Sequence, residues 1–242
     1  GMAGGDLPPP LAGGLLVALR SKGEVASEIR GFAEAMRELA IRPPVPKGEP
    51  YVDIVGTGGD GSGSLNLSTG SALLAAACGA KVLKHGNRSI SSRSGSADVL
   101  KALGLPIPLD EQQTVACLEA SGFTFLFAPH YHPAMKNIAP VRVALGVRTM
   151  FNILGPLANP ARPPFHVIGA FSEPMAELMA YTLSGMDAER SLVVHGAPDW
   201  DEPTPIGPFL CFDVRPGSVE RTVRDPADYG LARCVPQDLE GG

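Results

Sequence analysis

The sequence has few cysteines and no long apolar run, and these two shortages exclude several classes of protein. The 242 residues include four cysteines, which are far apart and form no C-x-x-C pair: Cys78, Cys117, Cys211 and Cys234. This spacing argues against a disulfide-stapled scaffold. The most apolar stretches, such as 15–19 and 73–77, are much shorter than the roughly 18 residues of a membrane span. We therefore expect reduced thiols in a cytoplasmic protein without a membrane partner.

The sequence also has fewer basic than acidic residues. The chain has 20 Lys and Arg against 25 Asp and Glu, which gives a net charge of −5. A protein whose main partner is DNA or another polyanion usually carries an excess of basic residues. The charge balance therefore argues against a nucleic-acid partner. By contrast, 44% of the residues are hydrophobic, which is enough to bury a core.

The chain begins with two predicted helices, over 11–20 and 24–40. In the second, apolar residues recur at steps of three and four and form one stripe: Val25, Ile29, Phe32, Met36 and Leu39. The stretch 42–48 has three prolines, which remove backbone donors and cannot continue a helix. We expect residues 1–46 to form a small, partial helical domain. Residues 47–242 then form an α/β domain, which also contains helices that complete the helical one.

Beyond this linker, short β-type runs alternate with helical ones. Strands are predicted at 51–55, 81–83, 124–127, 166–170 and 191–195, with two later β runs at 209–214 and 219–223. Helices are predicted at 68–78, 96–103, 111–120, 133–145 and 174–184. The alternation predicts an α/β fold with a mostly parallel sheet flanked by helices. In such folds ligands bind at the carboxyl ends of the strands.

A glycine-rich loop follows the first predicted strand, with the sequence GTGGDGSGSLNLST over 56–69. Its open N–H groups and the positive end of the next helix are typical of a phosphate site. The loop matches G-x-G-x-x-G, but no acidic residue occurs between Gly61 and Ala97 to bind a ribose, so a Rossmann site is excluded. Ser62 stands where a Walker A loop has lysine, which excludes an ATPase loop.

A basic, hydroxyl-rich loop follows the second predicted strand, with the sequence KHGNRSISS over 84–92. It belongs to the acid-free stretch, which carries four bases: Lys81, Lys84, Arg88 and Arg93. Because the carboxyl ends of neighbouring parallel strands meet at one edge, both loops face the same space. The two loops together predict a ligand with several phosphate groups.

An acidic turn, Asp199-Trp200-Asp201-Glu202, comes after the predicted strand at 191–195. Carboxylate oxygens suit Mg²⁺, which commonly bridges one or two carboxylates to substrate phosphates. An acidic turn alone is usually a solvated loop. Beside the two phosphate loops, however, this one predicts metal-bound pyrophosphate.

Two histidines and two arginines lie in the next segment, around the predicted helix at 133–145. His130 and His132 have no third ligand at metal spacing, so we do not expect a zinc site. The planar fork of an arginine pairs with both oxygens of a carboxylate. Either Arg142 or Arg148 is a candidate carboxylate clamp, the alternative for each being a surface salt bridge.

Taken in order, these segments resemble those of the anthranilate phosphoribosyltransferase family of tryptophan biosynthesis. The resemblance rests on the GTGGDG loop with N-x-S-T, the KHGNR loop, the HPAMK segment with its following VR, and the Asp-Glu pair, and it runs from about Leu11 to the chain end. It implies the fold of the nucleoside phosphorylase and phosphoribosyltransferase class and a homodimer joined through the helical parts. The implied reaction moves the phosphoribosyl group of 5-phosphoribosyl 1-pyrophosphate (PRPP) to the amine of anthranilate and releases pyrophosphate.

The resemblance also implies roles for individual residues. PRPP would contact residues of the first two loops: Gly56, Gly59, Asp60, Ser64, Asn66, Leu67, Ser68, Thr69, Lys84, His85, Gly86, Asn87, Arg88, Ser89, Ile90, Ser91, Ser92 and Ser96. Anthranilate would contact Gly56, His85, Asn87, His132 and Arg142, the last on its carboxylate. Two Mg²⁺ ions would be held by Ser68, Asp201 and Glu202.

By the same resemblance, the catalytic residues would be Lys84, Asn87 and Arg142. Lys84, the metal and the loop N–H groups would stabilise the charge of the departing pyrophosphate. Family members continue beyond residue 242 with a largely helical segment, so we expect an incomplete helical domain. Two other functions stay open: a pyrimidine nucleoside phosphorylase, and a truncated, non-catalytic relative that binds nucleic acid.

Overall fold

A computed structural model of the chain describes residues 6–88 and 94–241. Within these ranges seven strands form one sheet, in the order β3-β2-β1-β4-β5-β6-β7. The strands are β1 Tyr51–Gly56, β2 Lys81–Gly86, β3 Phe123–Phe127, β4 Phe165–Gly169, β5 Arg190–His195, β6 Phe209–Arg215 and β7 Ser218–Arg224. The first five run parallel, whereas β6 and β7 are antiparallel additions at one edge.

Among the described residues, two helices precede the first strand in the chain, and the other helices connect the strands. They are α1 Pro9–Lys22, α2 Ala26–Glu38, α3 Leu67–Ala77, α4 Ser96–Ala102, α5 Glu111–Ser121, α6 Ala128–Tyr131, α7 Ala139–Leu145, α8 Phe151–Leu157 and α9 Glu173–Leu183. Short 3₁₀ turns lie at Pro133–Asn137, Pro226–Tyr229 and Pro236–Leu239. In the described ranges, no helix is both long enough and apolar enough to span a bilayer.

The predicted α/β fold with a mostly parallel sheet is confirmed, and each predicted β run is a strand. The single helix predicted at 133–145 is wrong, because the segment divides into the 3₁₀ turn Pro133–Asn137 and α7. Pro140 lies in the first turn of α7, where its missing N–H costs nothing, so a new helix starts there. The short helices α6 and α8 were not predicted, and α8 contains Gly155 and Pro156, which normally signal turns.

The connections of the chain fix where a ligand can bind. From β1 the chain moves outward through β2 and β3, and it then returns to the other side of β1 as β4. The strand order therefore reverses between β1 and β4. Loops leaving the carboxyl ends of these two strands diverge and leave a crevice, which is the usual ligand position in such sheets.

The largest hydrophobic core joins the N-terminal helices to the sheet. Its buried members come mainly from α1, α2, α7, α8, α9 and strands β4 to β6, and include Leu16, Ile29, Leu154, Ile168, Met179 and Phe212. A second cluster on the side of α3 and α4 includes Ala72, Val82, Leu100 and Phe125. Since α1 packs on α7 while α2 packs on α8 and α9, the N-terminal helices share a continuous core with later helices.

One buried arginine ties α2 to this core. The Nε of Arg37 donates to the carbonyl of Leu157 at 2.8 Å, and its Nη1 donates to Asp187 at 2.7 Å. Burial lowers the pKa of Arg37, and the charge of Asp187 opposes that shift. The guanidinium is therefore a buried charge whose carboxylate partner reaches it from the surface.

This buried pair gives a test of how the helices are held. We expect Asp187→Asn to lower the free energy of unfolding by about 2 kcal/mol, because it leaves the charge of Arg37 buried with no carboxylate partner. The value is reduced from that of a fully buried pair since Asp187 is half exposed. Urea denaturation measures the change.

The control is Glu173→Gln, which breaks the exposed pair between Arg221 and Glu173. An exposed ion pair of this kind contributes less than about 1 kcal/mol. If both variants lose the same stability, Arg37 does not anchor α2 in the way described.

Candidate functional site

Three segments meet at the carboxyl ends of the central strands. They are the glycine loop after β1 (residues 57–66), the acidic turn after β5 (residues 196–202) and the end of β2 with the residues that follow it. Asp60 shapes the glycine loop, since its Oδ1 accepts from the N–H of Ser62 at 3.1 Å and from the Ser62 hydroxyl at 3.0 Å. Gly59 and Asp60 therefore lie in a loop whose path is fixed by side-chain bonds.

The two carboxylates of the acidic turn bind the glycine loop and the start of α3. Oδ2 of Asp201 accepts from the N–H of Gly58 at 2.6 Å, and the Asp201 N–H donates to Asp60 at 3.3 Å. Glu202 accepts from the N–H of Ser68 at 3.1 Å and from the hydroxyl of Ser64 at 3.3 Å. The structure therefore brings together Ser68, Asp201 and Glu202, the three residues expected to hold metal.

These carboxylates form a dense negative cluster. Burial raises the pKa of Asp201 to about 6, and the nearby charge of Asp60 adds to the shift. Burial raises the pKa of Glu202 to about 7, and Asp201 adds to it. Both shifts express the cost of crowding buried negative charges, and a bound cation would relieve that cost.

The donor set fits Mg²⁺ held jointly with phosphate. In the part of the chain that the structure describes, no three His, Cys, Asp or Glu side chains group closely enough to hold a metal by themselves. Mg²⁺ does not require such a cage, because it keeps several waters and takes one or two carboxylates plus substrate oxygens. Asp201, Glu202 and the Ser68 hydroxyl supply only oxygen donors, as this ion prefers.

The acidic turn reaches its position because glycines end two central strands. A methyl group on Gly169, the last residue of β4, would lie 1.5 Å from the carbonyl oxygen of Asp201. One on Gly56, the last residue of β1, would lie 2.3 Å from Oδ2 of Asp201. A side chain at either position would push Asp201 away from the glycine loop.

The start of α3 is joined to the loop that follows β2. Leu67 and Ser68 begin the helix, and the Nδ2 of Asn66 just before it donates to the carbonyl of Ser94 at 3.1 Å. The hydroxyls of Thr69 and Ser96 bond at 2.9 Å. The predicted PRPP residues of the two loops therefore lie side by side.

Lys84 lies in β2 beneath α3. Its side chain is fully buried, and its Nζ donates to the carbonyl of Ile54 at 2.5 Å and to the hydroxyl of Ser68 at 3.4 Å. Burial lowers the pKa of Lys84 to about 8, against the opposing effect of Asp53, Glu202 and Asp201. The ammonium group thus lies directly beside the candidate metal residues.

The residues after Lys84 lead out of the sheet. β2 ends at Gly86, and the side chain of Asn87 accepts from the N–H of Arg88 at 2.7 Å. The guanidinium of Arg88 lies 6.0 Å from the ring centroid of Phe127. Asn87 and Arg88 are exposed at the mouth of the crevice. The predicted site residues Ser89, Ile90, Ser91 and Ser92 lie outside the described residues.

Two buried imidazoles form a wall beside α8. The rings of His85 and His132 meet edge to face with centroids 5.1 Å apart, and Nδ1 of His85 bonds the carbonyl of Gly155 at 3.2 Å. The Nε2 atoms of both are buried without a partner among the described residues. Burial lowers the pKa of His85 to about 3 and also lowers that of His132, so both rings are neutral at pH 7.

Arg142 projects from α7 toward the other end of α8. Its guanidinium lies 5.3 Å from the ring centroid of Phe151, it is partly buried, and burial lowers its pKa. No described carboxylate pairs with it. Arg148 instead stacks on Phe171 at 4.7 Å. Of the two candidate clamps, Arg142 shares α8 with the histidine pair, through Phe151 and Gly155.

Three further residues shape this site and were not predicted from the sequence: Asp53, Asn159 and Gly169. Asp53 is fully buried and accepts from the Asn159 amide at 2.8 Å. A signal for Asp53 existed, because a carboxylate inside the apolar run 51–55 needs a polar partner. Nothing local in the sequence singles out Asn159 or Gly169, whose roles depend on what packs against them.

Comparison with known proteins gives concordant findings. The helical bundle domain of the glycosyl transferase family matches residues 1–40, and the a/b domain of that family matches residues 48–242. The chain is 49% identical to the anthranilate phosphoribosyltransferase of Solibacter usitatus, over 94% of this chain and 67% of that protein. It is 48% identical to that of Rubrobacter xylanophilus, over 100% of this chain and 70% of that protein.

Solved structures agree. The anthranilate phosphoribosyltransferase from Thermus thermophilus superimposes with a TM-score of 0.90 at 47% identity, covering 100% of this chain and 71% of that one. The Saccharomyces cerevisiae protein in complex with PRPP and Mg gives a TM-score of 0.83 at 28% identity, and its complex with 4-fluoroanthranilate gives 0.81 at 28%. Both yeast alignments cover 95% of this chain and 63% of the other. The chain thus spans about two thirds of its relatives' length.

The close approach at Gly169 predicts a specific defect. We expect Gly169→Ala to weaken magnesium-dependent binding of inorganic pyrophosphate at least about tenfold, because the added methyl displaces Asp201 from the candidate metal site. Isothermal titration calorimetry with Mg²⁺ and pyrophosphate measures the affinity.

Gly31→Ala in α2 is the matched control, because a methyl there meets no atom within 4 Å. Its affinity should equal that of the wild type. Equal affinity for Gly169→Ala would show that Asp201 does not need its observed position.

Proposed function

Because the chain belongs to the glycosyl transferase family, among the anthranilate phosphoribosyltransferases of tryptophan biosynthesis, we propose that the site described above transfers the phosphoribosyl group of PRPP to anthranilate. The observation that carries this proposal is the meeting of Asp201 and Glu202 with the glycine loop and the start of α3, beside Lys84. This arrangement supplies oxygen ligands for a metal, N–H donors and a cation to one diphosphate group.

We propose that the diphosphate of PRPP lies along the glycine loop and the first turn of α3. Gly56, Gly59, Asp60, Ser64, Asn66, Leu67 and Thr69 would line this part, with Gly86, Asn87, Arg88 and Ser96 on the side of β2. The positive end of α3 and the N–H groups of the loop favour an anion there. Ser89, Ile90, Ser91 and Ser92 keep the role implied by the resemblance, as a prediction.

Mg²⁺ binding is supported by the yeast relative solved with PRPP and Mg. We propose that two ions bind, held by Ser68, Asp201 and Glu202. When bound, magnesium would neutralise phosphate oxygens and make pyrophosphate a better leaving group. The negative cluster of Asp60, Asp201 and Glu202 supports this assignment, because its charges repel one another until a cation is present.

We propose that anthranilate lies between Gly56, Asn87 and α8. Arg142 would bind its carboxylate with two parallel hydrogen bonds, since the guanidinium is held by Phe151 and has no described carboxylate partner. His85 and His132 would form a neutral wall beside the ring. Their neutral state matters, because a charged imidazole would compete with Arg142 for the carboxylate.

The chemistry then depends on charge and orientation. The amine nitrogen of anthranilate attacks C1 of the ribose, the bond from C1 to the pyrophosphate oxygen breaks, and pyrophosphate leaves with the electron pair. Lys84 and the N–H groups of the glycine loop would stabilise the negative charge that develops on it. Arg142 and Asn87 would hold the amine in line with C1. The nitrogen then loses a proton to water, and no strongly basic carboxylate is required.

We propose further that the protein is a homodimer joined through its helical part. Supporting this, Leu11 of α1 is 61% exposed and Val143 of α7 is 81% exposed, and these two helices pack together. The domain division at residue 46 also stays a proposal. The contacts of α1 with α7 and of α2 with α8 support the view that later helices complete the N-terminal unit.

An activity assay tests the proposed function. Incubation of the protein with Mg²⁺, PRPP and anthranilate should consume anthranilate, which is followed by the loss of its fluorescence. A folded protein that consumes none, but cleaves thymidine or uridine with phosphate, would be a pyrimidine nucleoside phosphorylase. Salt-dependent binding of DNA in a gel shift, without either reaction, would indicate the non-catalytic alternative.

The assigned role of Arg142 predicts a selective defect. We expect Arg142→Ala to raise the KM for anthranilate about 10²-fold, because a charge-assisted, bidentate contact contributes roughly 3 kcal/mol. The KM for PRPP should change little, since Arg142 lies on the acceptor side of the site. Initial rates with each substrate varied in turn give both constants.

Arg148→Ala is the matched control, because Arg148 also stacks on a phenylalanine. It should leave the KM for anthranilate near the wild-type value. If Arg142→Ala raises both KM values alike, or if Arg148→Ala has the larger effect on anthranilate, the assignment to Arg142 is wrong.

A further inference from the structure

The two strands that carry the phosphate loops separate partway along their length. β1 and β2 pair only at Tyr51 with Lys81 and Val52 with Val82, whereas each of the other parallel ladders has five partner pairs. Both strands nevertheless continue for four more residues, to Gly56 and Gly86. Backbone groups that face the gap between them must find other partners or stay unpaired in the core.

Backbone groups of both strands face this gap, and three of them have side-chain partners. The N–H of Val82 points the other way and bonds Gly122, next to β3. Because neighbouring residues of a strand direct their backbone groups to opposite sides, the carbonyl of Leu83 and the N–H of His85 point toward β1. On the facing strand, the carbonyl of Ile54 points toward β2.

Side chains replace the missing ladder at each of these groups. The amide of Asn159 donates to the carbonyl of Leu83 at 2.9 Å, and Oδ1 of Asp53 accepts from the N–H of His85 at 3.2 Å. The ammonium group of Lys84 donates to the carbonyl of Ile54. A lysine side chain therefore occupies a place that a backbone donor fills in an unbroken sheet.

Asp53 and Asn159 form one unit on the face of the sheet opposite Lys84. The Asn159 amide also donates to Oδ2 of Asp53 at 2.8 Å, and Oδ1 of Asn159 accepts from the N–H of Ala161 at 2.9 Å. Both side chains are fully buried. Asp53 pairs in register with His166 and lies one position out of phase with Lys84, so the two side chains enter the gap from opposite faces.

We propose that Asp53 and Asn159 are positioning residues for Lys84, and that they hold the end of β2 at the distance from β1 that places the ammonium group beside Ser68 and the pyrophosphate. This inference rests on the proposed function for the identity of the full reaction. It assigns a role to two residues outside the three loops that contact the ligand. If the pair were lost, β2 would shift toward β1 to restore the ladder, and Lys84 would be displaced from the gap.

The test substitutes Asp53 with an isosteric amide. Asp53→Asn retains an oxygen for the N–H of His85 but directs a second amide donor at Asn159. We expect kcat to fall about 10²-fold, the cost of a misplacement of about 1 Å at a charged catalytic group. Calorimetry should show weaker binding of magnesium pyrophosphate, a readout that does not involve the anthranilate side of the site.

A double-mutant cycle with Lys84→Ala separates positioning from general damage. If Asp53 acts through Lys84, adding Asp53→Asn to Lys84→Ala should cause no further loss of kcat or of pyrophosphate affinity. If the effects of the two substitutions on kcat or on pyrophosphate affinity multiply in the double variant, the proposal is wrong. The measurement of pyrophosphate binding needs no transferase activity, so the cycle can still be interpreted if the proposed function is wrong.

Thr124→Val is the matched control, since Thr124 is buried, pairs with Leu83 in the same cross-strand row and has a hydroxyl without a described partner. It should leave kcat and affinity unchanged, and a loss equal to that of Asp53→Asn would overturn the proposal. If Asp53→Asn does not fold, the same cycle is run with Asn159→Ala, which removes the donor to Asp53 and to the carbonyl of Leu83. If that variant also fails to fold, the pair serves folding alone and the proposal is wrong.

Discussion

Buried backbone groups must be hydrogen-bonded. Where β1 and β2 separate, the sheet itself does not supply the partners, and side chains must do so. In the gap, one N–H bonds a side-chain acceptor and two carbonyls bond side-chain donors. Asp53, Asn159 and Lys84 supply them. The result is a charged lysine below α3, at a place where an ordinary sheet would be closed and apolar. The position of Lys84 at the crevice therefore depends on the interruption of the β1–β2 ladder.

The two sides of the site are built differently. On the phosphate side, the glycine loop, the acidic turn and the first turn of α3 meet through backbone N–H groups and carboxylates. The positions of Asp201 and Glu202 therefore depend on how closely these main chains approach one another. On the other side α8 is the common support, because Phe151 lies under Arg142 and Gly155 accepts from His85. Hydrophobic packing of α8 on the core thus sets the acceptor pocket, whereas hydrogen bonding sets the phosphate pocket.

Most of the strands and the phosphate side of the site could be predicted from the sequence. Most strands have a short run of β-branched and apolar residues, and loops such as 56–69 are recognisable by their composition. Ser68, Asp201 and Glu202 are brought together as expected from their positions after strands. The prediction of a single helix at 133–145 overlooked Pro140, which is favoured in the first turn of a new helix. The helix at Phe151–Leu157 was not predicted, because Gly155 and Pro156 normally signal turns. The pairing of Asp53 with Asn159 spans 106 residues and has no local signature.

The buried contact of Arg37 with Leu157 has a consequence for local unfolding. Arg37 belongs to α2, and the carbonyl it binds is at the last residue of α8. Fraying of α2 would therefore expose an unpaired guanidinium and release the end of α8 at once, which makes the two helices one cooperative unit. The acceptor pocket would lose its order with the N-terminal helices, while the phosphate loops, attached to the central strands, would persist until the sheet itself opened.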